Sequence, residues 1–361
     1  MKRQGARYPV GVLTPPDGLP EDLLAAVLAR GWGLTATRLA YRPVGWGSHH
    51  WQITDTRGGR WFATADELEN KRHTRTEALT QAFARLHASL ATAVALRDTG
   101  LDFVVAPVPA RDGAPLAPAG ERFGVALYPW VDGQSFEWGS FPGPGHRQAV
   151  LDMLVAIHAA PPAAARHAHA DDLRIPHRDQ LDAALAGAEA RGGTGPYAGP
   201  LASLVARHAG PLRAALDIYD QQRSHELAEP ARPVVTHGEP HPGNTMLAAG
   251  RWLLIDWDTV LLAPPERDLW SLDPGDGSVL AAYAAATGVT PRAGLLELYR
   301  RRWDLADVAV DVSRFRRPHQ GSPEDDEAFE LLRSVVEGLS SPSSSLHDHG
   351  TLSAHITDDV P

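Results

Sequence analysis

Two apolar runs that bracket a short proline-containing loop constrain this chain more than any other stretch of it. Val234-Val235-Thr236 feeds the loop His237-Gly238-Glu239-Pro240-His241-Pro242-Gly243-Asn244, and a second run, Trp252-Leu253-Leu254-Ile255, delivers Asp256-Trp257-Asp258. Short β-branched and aromatic runs favour strands. Pro240 and Pro242 deny the loop a helix, so His237 and His241 are not the helical histidine pair of a zinc protease. The pattern is strand, loop with an acid and an amide, strand, acid. Two strands lying side by side would bring positions 244 and 256 together, with 239 at the mouth.

Those residue types suit phosphoryl transfer. Mg2+ is a hard cation that takes oxygen ligands, and Asn244 and Asp256 offer a neutral and a charged one. Glu239, left free of metal, can orient or deprotonate an attacking hydroxyl. Asp258 points to the opposite strand face if the strand continues, and joins a metal shell only if the chain turns at Asp256.

Three segments together resemble one family. His237-Gly238-Glu239 through Asn244 resembles the H-G-D-x-x-x-x-N loop of the aminoglycoside phosphotransferases and their choline-kinase-like relatives. Ile255-Asp256-Trp257-Asp258 looks like that family's metal-binding I-D-x-x segment, and Pro265-Glu266-Arg267-Asp268-Leu269-Trp270 like the P-x-x-D-L-W run that follows it. Order and spacing match, and the likeness in pattern runs from about Thr37 to Phe315. The resemblance implies an α+β, protein-kinase-like fold of two lobes, with a small antiparallel β N-lobe and a larger, mainly helical C-lobe. It implies ATP or GTP as co-substrate and Mg2+ held by Asn244, Asp256 and Asp258. His237 is expected to pack the loop, and Asp268 to hydrogen-bond its backbone.

Two positions depart from the family pattern. Glu239 stands where Asp is usual, which carries the carboxylate about 1.5 Å further, one C–C bond. Thr64 stands at the end of the third strand, where a phosphate-binding lysine is usual. Lys71, in the segment that follows, is the candidate replacement; the competing reading is a solvated loop lysine. The choice is narrow because Lys2 and Lys71 are the only lysines in the chain.

A length of 361 residues fits two domains or one two-lobed domain, and 43% hydrophobic residues suffice for a sizeable core. The absence of cysteine excludes disulfides and Cys-ligated zinc. No apolar run approaches the ~18 residues of a membrane span. The start, Met1-Lys2-Arg3-Gln4, lacks the apolar core of a signal peptide, so a cytoplasmic protein without a membrane partner is expected. A net charge of −10 argues against a nucleic-acid footprint. Eleven acidic residues and four arginines lie between Asp217 and Asp276. That excess around the loop would attract a cationic acceptor; the plainer reading is metal ligands and solvated helix faces.

Residues 1–36 read as a proline-rich arm followed by a helix over Glu21–Trp32. Residues 37–131 read as the nucleotide-binding lobe. In it, Gly45, Gly47 and Ser48 form a turn whose backbone can approach phosphates closely. Five strands are expected, among them Trp61–Asp66, Phe103–Pro107 and Arg122–Val131. A helix is expected over Thr76–Arg97, with Glu77 in its first turn either pairing the phosphate-binding cation or, on the plainer reading, favoured there by the helix dipole. Tyr128 and Trp130 mark where the family's adenine-binding hinge would lie. Residues 132–318 read as the C-lobe, with helices over His146–Ala159, Arg178–Arg191, Leu201–Leu227, Ser278–Ala286 and Arg292–Arg317. On the first of these, His158 reads as a satisfied core histidine. Residues 319–361 read as one more helix, Glu324–Leu339, and a mobile serine-rich tail.

The expected function is an ATP- or GTP-dependent O-phosphotransferase acting on a hydroxyl of a small molecule, an antibiotic before a metabolite of the choline or homoserine type. The alternative is a non-catalytic nucleotide- or ligand-binding pseudokinase on the same scaffold, motivated by Glu239 and Thr64. Nucleotidyl transfer is a third, more distant class.

Overall fold

The computed structural model describes residues 14–45, 47–187, 194–228 and 232–340. The expected arm before residue 14, the serine-rich tail beyond residue 340 and Trp46 lie outside the described residues.

Helix α1, Glu21–Trp32, opens with Glu21 and Asp22, which favour the positive end of the helix dipole. It buries Leu24, Val27 and Leu28 against the N-lobe sheet. That sheet contains β1 (Ala36–Arg42), β2 (His49–Asp55) and β3 (Arg60–Glu67), followed by a single 3-10 turn, Leu68–Lys71. Helix α2 spans Leu79–Asp98, and β4 (Ala117–Ala119) and β5 (Phe123–Pro129) complete the lobe. The five strands run in the order β1-β2-β3-β5-β4, each neighbouring pair antiparallel. Trp51, Ile53, Ala63, Val125 and Leu127 form the core of the lobe with α1.

Two expectations are corrected here. The apolar run Phe103–Pro107 is not a strand of this sheet. Val104 forms a parallel bridge with Leu254 of the other lobe, and the fifth strand is supplied by Ala117–Ala119 instead. Helix α2 begins at Leu79 rather than Thr76, so Glu77 precedes it.

Past β5 the chain crosses to the C-lobe, where β6 (Gln134–Ser135) and helices α3 (Pro144–His158) and α4 (Arg178–Leu185) follow. The expected extension of α4 to Arg191 is not present to Gly187, and residues 188–193 lie outside the described residues. The expected helix Leu201–Leu227 is two helices, α5 (Ala198–Arg207) and α6 (Ala209–Ala228), broken at His208. Pro211 has no N–H to donate to the Arg207 carbonyl, so a continuous ladder cannot pass through it. Next come β7 (Val234–Thr236), β8 (Thr245–Ala248), β9 (Arg251–Leu254), β10 (Leu261–Ala263) and the short helix α7 (Glu266–Leu269). Helices α8 (Ser278–Thr287), α9 (Ala293–Phe315) and α10 (Pro323–Leu339) end the described chain.

The order β6-β8-β9 forms one small sheet, and β7 pairs with β10. One C-lobe core joins α2 and α3 to this strand region through Leu90, Leu154, Ile157, Leu254 and Trp257. The other unites α4, α6, α9 and α10 through Leu181, Tyr219, Leu305, Val312 and Leu332.

Besides the crossing after β5, residues 72–78 strap the N-lobe to the C-lobe. The His177 amide donates to the His73 carbonyl at 2.7 Å. Arg75 donates to Gln180 Oε1 at 3.3 Å and to the Arg316 carbonyl at 3.4 Å.

Candidate active site

The loop after β7 is held from behind by a chain of buried polar groups. Asp268 on α7 accepts the backbone N–H groups of His237 at 2.9 Å and Gly238 at 2.6 Å. His158 on α3 meets Asp268 through Nε2 at 3.1 Å and Tyr283 on α8 through Nδ1 at 3.0 Å. Burial would raise the Asp268 carboxyl, but the hydrogen bond and charge of His158, with Arg267 and His237, hold it below the usual range. His237 is fully buried and its Nε2 lies 2.9 Å from the Ile255 carbonyl, so that nitrogen carries the proton. Its Nδ1 accepts the Glu239 amide at 3.2 Å. Gly238 adopts φ 98°, and a Cβ there would overlap the Arg267 guanidinium. That guanidinium donates to Thr236 Oγ1 at 2.8 Å and to the Thr259 carbonyl at 2.7 Å.

The front of the loop faces the lobe junction. Glu239 is partly exposed, with Oε2 3.9 Å from His241 Nε2. A 3-10 turn, Pro242–Asn244, carries the amide. Asn244 Nδ2 donates to the Glu239 carbonyl at 2.9 Å, which fixes the side chain and makes Oδ1 the atom that would ligate a cation. The Ile255 amide donates to the Asn244 carbonyl at 2.9 Å, so Asn244 and Asp256 are brought together across adjoining segments.

Strand β9 ends at Leu254, and Asp256 takes a left-handed φ of 65°. The chain therefore turns at the point on which the role of Asp258 depended, and the two carboxyl groups share a hydrogen bond. Burial, then the charges of Asp258 and Glu239, push the Asp256 carboxyl well above the usual carboxylate range. Burial would raise Asp258 too, but Lys71 outweighs it and holds Asp258 below that range. Crowded, mutually repelling oxygens are the donor set a hard dication relieves. Among the described residues no three His, Cys, Asp or Glu side chains close into a metal-binding group. The residues that would hold Mg2+ are Asp256 and Asp258, with the amide oxygen of Asn244.

Lys71 ends the 3-10 turn after β3, and its Nζ lies 2.7 Å from Asp258 Oδ2 and 2.9 Å from Asp66 Oδ1. Burial works against the ammonium, but Asp258 and Asp66 together hold its pKa well above the ordinary lysine value. It is not a solvated loop lysine. Thr64, in mid-strand, instead meets His50 Nδ1 at 3.2 Å across the β2–β3 pair. Burial pushes the His50 imidazole down to about 4, so this wall is neutral. Of the two readings of Glu77, the structural one holds: it accepts from Arg85 and from the His73 amide, not from Lys71.

Gly45 and Gly47 take left-handed φ values of 74° and 79°, and a Cβ at Gly47 would meet nothing within 4 Å. Gly47 thus presents bare backbone. Ser48 does not share that exposure, because its buried hydroxyl donates to Asp66 Oδ1 at 2.6 Å. Tyr128 on β5 stands opposite Phe62 in register. Burial, with the charges of Asp66, Asp256 and Asp258, raises its phenol well above 10. Trp130 lies just beyond β5; its Nε1 donates to Asp132 Oδ1 at 2.7 Å, and Arg60 sits over the ring at 5.6 Å.

Sequence reasoning missed Asp66 and Arg267 as parts of this region. The signal for Asp66 was an acid among apolar residues at the end of a strand, and for Arg267 its place beside Asp268 in the Pro265–Trp270 run.

A two-lobed α+β fold with an acid-and-amide loop, turned paired carboxylates and an ion-paired lysine between its lobes defines a kinase-like phosphotransferase. The chain belongs to the phosphotransferase enzyme family, whose pattern it matches over residues 40–310, and it is a small-molecule kinase with an alcohol acceptor. Protein StrN of Streptomyces griseus is 35% identical over 252 residues, which cover 66% of this chain and 72% of StrN. The spectinomycin phosphotransferase APH(9)-Ia, solved with ADP and spectinomycin, matches with a TM-score of 0.64 at 17% identity over 90% of this chain and 98% of that one. A microcompartment-associated aminopropanol kinase matches with a TM-score of 0.55 at 14% identity over 89% of this chain and 96% of its own. The two structural likenesses bear on the fold alone.

Proposed function

We propose that the chain transfers the terminal phosphoryl group of ATP or GTP to a hydroxyl of an antibiotic-type small molecule carrying amino groups. The observation that carries this reading is the gathering of Glu239, Asn244, Asp256, Asp258 and Lys71 at one junction between the lobes. Glu239 orients the acceptor hydroxyl and takes up its proton as the oxygen attacks. Asn244, Asp256 and Asp258 would hold Mg2+, which when bound supplies positive charge to the phosphate oxygens. Lys71 binds the phosphates beside it, and Gly45 and Gly47 cover them with backbone N–H groups. Tyr128 and Trp130 wall the base. A net charge of −10, with its acid excess around the loop, favours a cationic acceptor. The 35% identity to StrN supports an antibiotic-related acceptor.

The test is nucleoside-diphosphate release by the full chain with Mg2+ across amino-sugar, spectinomycin-like, macrolide and amino-alcohol acceptors, with the phosphorylated product identified by mass. Glu239→Gln should lower kcat by roughly 10²- to 10⁴-fold, the range for losing a general base, and leave nucleotide affinity in place. Nucleotide binding without turnover on any of these acceptors would overturn the proposal.

A further inference from the structure

The Lys71 ammonium has three N–H donors and two carboxylate neighbours, and the two neighbours do different work. Asp258 belongs to the candidate metal set. Asp66 does not: it is the penultimate residue of β3, its side chain is 4% exposed, and its Oδ1 lies 2.9 Å from Lys71 Nζ. The same oxygen accepts the Ser48 hydroxyl at 2.6 Å, and Ser48 directly follows Gly47 of the glycine turn. Glu77, the carboxylate that would come from the region of α2, is committed to Arg85 and to the His73 amide.

We propose that Asp66 is the positioning residue of Lys71, holding its ammonium for the nucleotide phosphates in the place of a helix carboxylate, with Ser48 fixing the Asp66 orientation from the glycine turn. This rests on the kinase reading above. A lysine stem is long and flexible, and fixing it costs rotamer freedom. A buried carboxylate from the same strand-and-turn unit fixes it before nucleotide arrives. Grip on the phosphates then depends on β3 and its 3-10 turn rather than on the placement of α2.

The experiment compares binding of MgATP, MgGTP, adenosine and guanosine to the full chain by calorimetry, with a thermal melt of every variant. Asp66→Asn should weaken the preferred triphosphate about tenfold, the scale of one charge-assisted hydrogen bond, and leave its nucleoside unchanged. Ser48→Ala should act in the same direction more weakly, and it carries the test if Asp66→Asn does not fold. Glu77→Gln should change neither ligand. In a Lys71→Met background, Asp66→Asn and Ser48→Ala should cost nothing further. An Asp66→Asn or Ser48→Ala loss of the same size without Lys71, an equal loss of nucleoside binding, or a larger loss from Glu77→Gln overturns the inference alone. A wild-type chain that binds neither triphosphate overturns the kinase reading and this inference with it.

Discussion

Asp256 and Gly238 show how the site is set by single backbone angles. Asp256 departs from the strand at φ 65°, a conformation short polar side chains tolerate better than most. The departure swings Asp258 round to meet it. Gly238, at φ 98° and packed under Arg267, lets the loop turn Glu239 outward while Asp268 holds its amide. Gly238→Ala should therefore destabilise the fold by about 1–3 kcal/mol, from backbone strain and displacement of the guanidinium. A denaturant titration checks this, and an unchanged midpoint would show the loop to be plastic. Glu239, Asn244 and Asp256 were legible because their spacing within two strands and a loop leaves little freedom. Asp66 was not, since the direction of a side chain at a strand's end depends on the turn that follows.

Helices and strands were read from apolar periodicity, which locates elements well and their partners poorly. The run Phe103-Val104-Val105-Ala106 has every mark of a strand, yet it bridges to Leu254. Ala117-Pro118-Ala119 has little strand propensity and is an edge strand because it pairs with Phe123–Val125. Helix α9 carries a feature periodicity hides. Asp311 is buried on it, and burial pushes its carboxyl up to about 7, with Arg314 pulling the other way. Below about pH 4 both the folded and the unfolded chain bind this proton, so there is no cost. As pH rises, the unfolded chain ionises first, and the penalty on folding grows until it is complete above about 7. A shift of that size corresponds to up to roughly 4 kcal/mol. Asp311→Asn should raise the melting temperature at pH 8 and leave it nearly unchanged at pH 4; an equal shift at both values would contradict the account.

For the molecule as a whole, the two-lobed fold was legible and its second connection was not. The sequence announces a crossing after Trp130, but nothing in residues 72–78 forecasts hydrogen bonds to α4 and the end of α9. Ligand that binds only the folded chain should stabilise both lobes together, by about 2.7 kcal/mol at a hundredfold excess over Kd. Thermal melts with ATP or GTP should show that gain with Mg2+ and lose most of it with EDTA. Equal protection under both conditions would detach the nucleotide from the Asp256–Asp258 pair.

A hinge alone would let the lobes gape widely. With His73 fastened to His177 and Arg75 to Gln180 and Arg316, that side of the mouth is stitched, and wide opening has to unpick these contacts first. A swing of one lobe against the other would therefore pivot about this corner as well as about the crossing after β5.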